Sequence, residues 1–143
     1  MTLSLSISSV ITQTMALSGL HSILSHIDAP ALGADRDEAL KALIPGIAAD
    51  MAVMFNSTIA GCEVTDDFIL LTTADETCIG TLPLALAFER YLSLRLIAHI
   101  WASADKAIAA RAANDAATLA ASLRSSLLTL ADHTATTLRP SAY

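Results

Sequence analysis

The sequence predicts a mainly α fold, a helical bundle of about four helices, the last one long, with a short β-hairpin or extended excursion between the second and third. Three observations predict it. Apolar residues recur at helical spacing along most of the chain. Between Ala60 and Leu82 that spacing is lost and strand formers take over. From Asp105 to Arg139 no Pro or Gly interrupts an Ala-rich run. The 143 residues fit a single helical domain, 1–143, with one core.

The elements follow in order. Leu3, Leu5 and Ile7 alternate with Ser4 and Ser6, the period of a half-buried strand, so residues 1–12 are expected as an extended arm. From about Gln13, Leu17, Leu20, Leu24 and Ile27 follow helical spacing. Asp28-Ala-Pro30 ends this first helix, because the residue before a proline avoids the α region. Asp35 followed by Glu38 resembles a capping box and opens a second helix. Its stripe is Leu40, Leu43, Ile44, Ile47, Met51, Met54 and Phe55, running to about Ser57. Pro45-Gly46 inside the stripe predicts a kink near Ile44.

Residues 60–82 read as the β-like excursion. Phe68-Ile-Leu-Leu-Thr-Thr73 is the strand, Ala74-Asp-Glu-Thr77 the turn, and Cys78-Ile-Gly follows. Pro83 then sits in the first turn of a third helix. That helix is apolar nearly all round, with Leu84, Leu86, Phe88, Tyr91, Leu92, Leu94, Leu96, Ile97, Ile100 and Trp101. Such a helix is central to a core or sandwiched between its core and a neighbour. Asp105 caps the fourth helix, whose stripe is Ile108, Ala112, Ala116, Leu119, Leu123, Leu127 and Leu130. Its length exceeds what a compact domain of this size needs, which predicts an end that projects toward a partner. Residues 136–143 form a short tail.

Composition narrows the function. Apolar residues make up 54% and charged residues 15%, against about 25% charged in an ordinary soluble domain. So little charge predicts that partners cover part of the apolar surface. A net charge of −6 opposes sequence-independent nucleic-acid binding, which needs a basic face. No polybasic segment marks a membrane-surface protein, and Glu89, Arg90, Arg95 and His99 break the most apolar stretch, so no membrane partner is expected. The N-terminus lacks the basic start of a secretory signal, and cytoplasmic synthesis is the expectation.

No catalytic constellation stands out. The chain has no Gly-x-Ser-x-Gly elbow, no phosphate-binding loop and no dinucleotide fingerprint. Asp66-Asp67 and Asp75-Glu76 read as solvated turn residues, lacking the spaced ligands of a cation loop. His21 and His26 are five apart and point to different sides of a helix, and with His133, Cys62 and Cys78 they match no common zinc spacing. His99 reads as a satisfied core histidine, and the two cysteines as small buried thiols. No enzyme activity, cofactor or metal is expected. Glu89, Arg90 and Arg95 form either a polar edge of the third helix or an intersubunit ion pair. The candidate interface residues are Arg90, Arg95 and Trp101 on the third helix and Leu119, Leu123 and Leu127 on the fourth.

The order of features carries a resemblance. A Pro-bearing loop leads through Asp35-Arg-Asp-Glu-Ala-Leu-Lys-Ala-Leu-Ile-Pro-Gly-Ile-Ala-Ala-Asp50 to Phe55-Asn56. The excursion, Leu82-Pro83, an apolar helix and a long Ala-rich helix follow. From Leu17 to Ser126 this resembles the head–tail adaptor (connector) proteins of tailed bacteriophages. The resemblance implies a virion structural protein: a homo-oligomeric, dodecameric ring beneath the portal protein, joined to the tail or a further connector protein. DNA would pass through the ring without specific binding, repelled by an acidic lumen. The alternative is a small helical protein-binding module, such as a dimeric chaperone or regulatory partner.

Overall fold

The computed structural model describes residues 2–25, 36–56, 59–73 and 81–137, with side chains described at 2–24, 38–56, 59–73 and 84–127. The elements run β1 (Thr2–Ser6), α1 (Ile7–Ser25), α2 (Arg36–Met54), β2 (Ile59–Val64), β3 (Phe68–Thr73), α3 (Thr81–Trp101) and α4 (Lys106–Thr137). The mainly helical class holds, and a three-stranded antiparallel sheet of order β1-β3-β2 joins the helices.

The alternation at the N-terminus is a strand, but a shorter one than the expected arm. Leu3 and Leu5 face the core and Thr2 and Ser4 face out. Leu3 pairs with Leu71 and Leu5 with Ile69, while Cys62 and Val64 flank the same two β3 residues from β2. One face of the sheet is thereby apolar in two cross-strand rows.

The chain turns into α1 at Ile7, six residues before the helical start expected at Gln13. Ser6 caps it, its Oγ accepting the Ser9 N–H at 3.3 Å. The real buried face is Ile7, Val10, Ile11 and Thr14, at helical spacing. Leu17 is only partly buried, and Leu20 and Leu24 face solvent. The predicted first-helix stripe is therefore largely an outer surface; Ile27 lies outside the described residues.

Helix α2 continues through Pro45, which lies on the exposed side. Leu40, Ile44, Ala48, Met51 and Phe55 are its buried line, while Met54 is exposed at the stripe's edge. The helix ends at Met54, three residues before the expected Ser57. Asp35 lies outside the described residues.

A hairpin joins β2 and β3 through the turn Thr65-Asp66-Asp67, whereas the turn expected at Ala74–Thr77 lies outside the described residues. Thr65 Oγ1 holds the β2–β3 turn, donating to the Phe68 carbonyl at 3.0 Å and accepting the Phe68 N–H at 3.1 Å. Ala60-Gly-Cys-Glu lacks strand-forming residues, so pairing with β3, not local propensity, makes β2 a strand. Residues 74–80, with Asp75, Glu76 and Cys78, lie outside the described residues.

Helix α3 is the centre of the molecule, packed against α1, α2, α4 and β1. That is why it is apolar on several sides. Its packing on α1 is parallel and in register: Ser6 with Glu89, Val10 with Ser93 and Ser18 with Trp101 are hydrogen-bonded at a constant separation of 83 residues. Exposed His99 corrects the expected core histidine.

Asp105 opens α4, its Oδ1 accepting the N–H groups of Ala107 at 2.9 Å and Ile108 at 3.3 Å. Asp105→Ala is expected to lower stability by about 1 kcal/mol, read from chemical denaturation. Asp105→Asn should restore most of the loss. The buried line on α4 is Ile108, Ala112, Ala116, Ala120, Leu123 and Leu127.

Candidate interaction surface

The residues expected to mark an interface separate into two groups. Trp101, Leu123 and Leu127 belong to the chain's own core. The Trp101 indole N–H donates to Ser18 Oγ at 3.1 Å, closing α3 onto α1. These three are corrected from interface to core, because α3 and α4 use their apolar stripes on each other. Leu119 is half-buried at the rim of that core. Arg90 is exposed and Arg95 half-exposed, so both remain on the surface.

The difference between Leu119 and Leu123 has a measurable consequence. Leu123→Asp should unfold much of the population, with a cost above about 4 kcal/mol. Leu119→Asp should cost about 1 kcal/mol, leaving helical circular dichroism intact at room temperature. Equal damage from both would contradict the burial assigned to them.

Glu89 was expected on a polar edge or in an intersubunit ion pair, and it does neither. It is buried, its Oε1 accepting the Ser6 N–H and its Oε2 the Ser9 Oγ–H, each at 2.9 Å. The carboxylate therefore sits at the N-terminus of α1, where the free N–H groups and the helix dipole favour a negative charge. No separation rule in the sequence could have paired Glu89 with residues eighty and eighty-three positions away.

Among the described residues, several large apolar side chains stay exposed. Ile23 is 73% exposed, Leu24 68% and Leu20 50%, forming one surface at the end of α1. Val53 (72% exposed) and Met54 form a second at the end of α2. There an apolar groove of roughly 490 Å³ runs between α2 and β2, lined by Pro45, Ala49 and Val53 and by Ile59, Cys62 and Val64 of β2. Leu86 and Phe68 are also exposed. Sequence reading missed Val53 because it lies off the buried α2 line, and placed Leu20 and Leu24 inside because spacing alone does not say which side of a helix is covered.

Aromatic and cationic groups gather beside the second surface. Phe55 meets Phe88 and Tyr91 edge to face, at 5.4 Å and 6.0 Å between centroids. The Arg124 guanidinium lies over the Phe55 ring at 5.5 Å and donates to the Met54 carbonyl at 3.2 Å. Arg124 thus satisfies a carbonyl at the α2 C-terminus. The Tyr91 hydroxyl donates to Met54 Sδ at 3.3 Å. Burial pushes the Tyr91 phenol above its ordinary range; the Arg95 and Arg124 charges oppose that rise and the Asp50 charge adds to it.

The second groove, roughly 370 Å³, is lined by Ile7, Ser8, Ile11, Thr12, Met15, Lys41, Asp66 and Asp67. Cys62 carries a free thiol, half-buried, whose pKa is raised by burial, the opposite of an activated thiol. Among the described residues, no group of three His, Cys, Asp or Glu could hold a metal ion, and no helix is long and apolar enough to cross a membrane. His26 and His133 lie outside the described side chains.

In comparisons with known proteins, no family model, no curated protein and no solved structure matches this chain.

Proposed function

We propose that this chain is a structural subunit that works through protein contacts: a head–tail adaptor whose copies form a ring beneath the portal of a tailed bacteriophage, joining capsid to tail and extending the DNA channel. The observation that carries the assembly reading is the pair of separate apolar surfaces, one at the end of α1 and one at the end of α2. A subunit in a ring meets unlike surfaces of two neighbours and also the components above and below it. Two surfaces on different helices fit that need better than the single patch of a protein that covers one client. The phage setting itself rests on the resemblance in element order and on the Asp35-to-Phe55 segment.

In this reading the net charge of −6 keeps DNA from adhering to the channel wall. The C-terminal end of the last helix reaches toward the portal or the tail component. The ring is a virion component, assembled from subunits made in the host cytoplasm.

Electron microscopy of the concentrated, purified chain tests this. The expected images are closed rings with a central opening, and immunogold labelling of virions should mark the capsid vertex that carries the tail. A stable dimer without rings would transfer support to the client-binding module, and label confined to the infected cell would remove the adaptor assignment.

A further inference from the structure

The charged groups on the surface are not distributed evenly between the two ends of the β2–β3 hairpin. At one end, next to the start of β2, the Arg124 guanidinium is anchored on Met54 and Phe55, and Arg95 lies one helical turn along α3 from Tyr91, whose hydroxyl reaches Met54. The exposed side chains of Val53 and Met54 border this cationic cluster. At the other end, the turn presents Asp66 and Asp67, both exposed, followed by exposed Phe68. The five residue steps from Ile59 to Val64 hold the two ends about 17 Å apart along the strand. They therefore do not meet within one subunit.

We propose that these two ends are the two halves of one contact between copies of this chain: the Asp66-Asp67-Phe68 turn of one subunit docks on the Arg95, Arg124, Val53 and Met54 surface of the next. The proposal deepens the self-assembly reading and rests on it. Charge complementarity selects a second copy as the occupant. The cationic half presents the Arg124 guanidinium, held on Met54 and Phe55, with half-exposed Arg95; the turn presents two exposed carboxylates, Asp66 and Asp67, with Lys41 lining the groove beside them. Each half also carries exposed apolar side chains, so Phe68 of the turn can lie against Val53 or Met54 while the carboxylates reach the guanidinium groups. Arg124 spends only part of its donor set on Met54, and a planar guanidinium held over an aromatic ring is pre-organised to take a carboxylate. Because the two halves are unlike, the contact repeats head to tail, and copies add in one direction until the rotation closes.

Charge reversal on each half, followed by mixing, tests the contact. Arg124→Glu in one chain and Asp66→Arg with Asp67→Arg in another should each weaken self-association by about tenfold or more. Both changes are on exposed side chains, and circular dichroism checks folding; Arg95→Glu serves as the second cationic variant should Arg124→Glu lower stability. An equimolar mixture should recover parental assembly, because in an alternating arrangement each junction joins opposite charges. Raised salt should weaken the parental contact. If either reversed chain assembles as the parent does, if the mixture stays monomeric, or if the parent itself never associates as concentration rises, the contact is wrong. A mixture that recovers only a closed dimer by mass supports the contact and overturns the ring.

Discussion

Trp101→Ala is expected to lower stability by about 3–5 kcal/mol, a large part of the roughly 5–15 kcal/mol that holds a typical domain folded. Trp101 is fully buried at the end of α3, and its truncation removes both the largest buried side chain and the indole donor that reaches Ser18. The cavity would open where α1 and α3 run side by side, so the loss is shared by the two helices. Thermal unfolding should shift down by about 10 °C or more. Ser18→Ala provides the internal comparison, since it leaves the ring in place and costs only the unpaired N–H, about 1 kcal/mol. Equal effects from the two variants would mean that packing around the indole contributes little.

Glu89→Leu is the second large effect, expected at about 3 kcal/mol. Leucine leaves the Ser6 N–H and the Ser9 hydroxyl without the acceptor they now share. Both groups lie where β1 turns directly into α1, so losing the carboxylate loosens the strand edge and the helix start together. Glu89→Gln keeps an oxygen for Ser6, and Ser9 can rotate its hydroxyl to accept from the amide, so that variant should cost about 1 kcal/mol. Denaturant titration of the pair distinguishes lost hydrogen bonding from lost volume. A leucine variant as stable as the glutamine one would remove the structural role assigned to Glu89.

The sequence was most legible where one local signal sufficed. The Asp105 cap, the α2 line from Leu40 to Phe55 and the strand character of Leu3-Leu5 and Phe68–Thr73 depend on neighbours within a few residues, and the fold keeps them. Legibility failed where a partner element decides. Spacing marked Leu17, Leu20 and Leu24 as a buried stripe, yet α3 ends at Trp101, level with Ser18 of α1, so Leu20 and Leu24 emerge from the core beyond it. Ile7 fits both the strand alternation and the helix spacing, and the Asp67 carbonyl, accepting its N–H at 3.1 Å, fixes where the strand ends. Likewise β2 exists because β3 pairs with it, which its own Gly-Cys-Glu composition does not announce. Of the expected interface residues, Arg90 and Arg95 stayed on the surface, whereas Trp101, Leu123 and Leu127 went to the core, since aromatic and leucine side chains look alike in sequence whether a partner or the chain itself covers them.

Hydrogen exchange compared between dilute and concentrated protein tests the reading of these surfaces most directly. If copies of the chain cover them, amides from Val53 to Asn56 and from Thr65 to Phe68 should exchange more slowly at high concentration, while those at Leu20 to Leu24 stay as they are until a different partner is added. Unchanged exchange in both regions while the mass of the assembly grows would contradict the account.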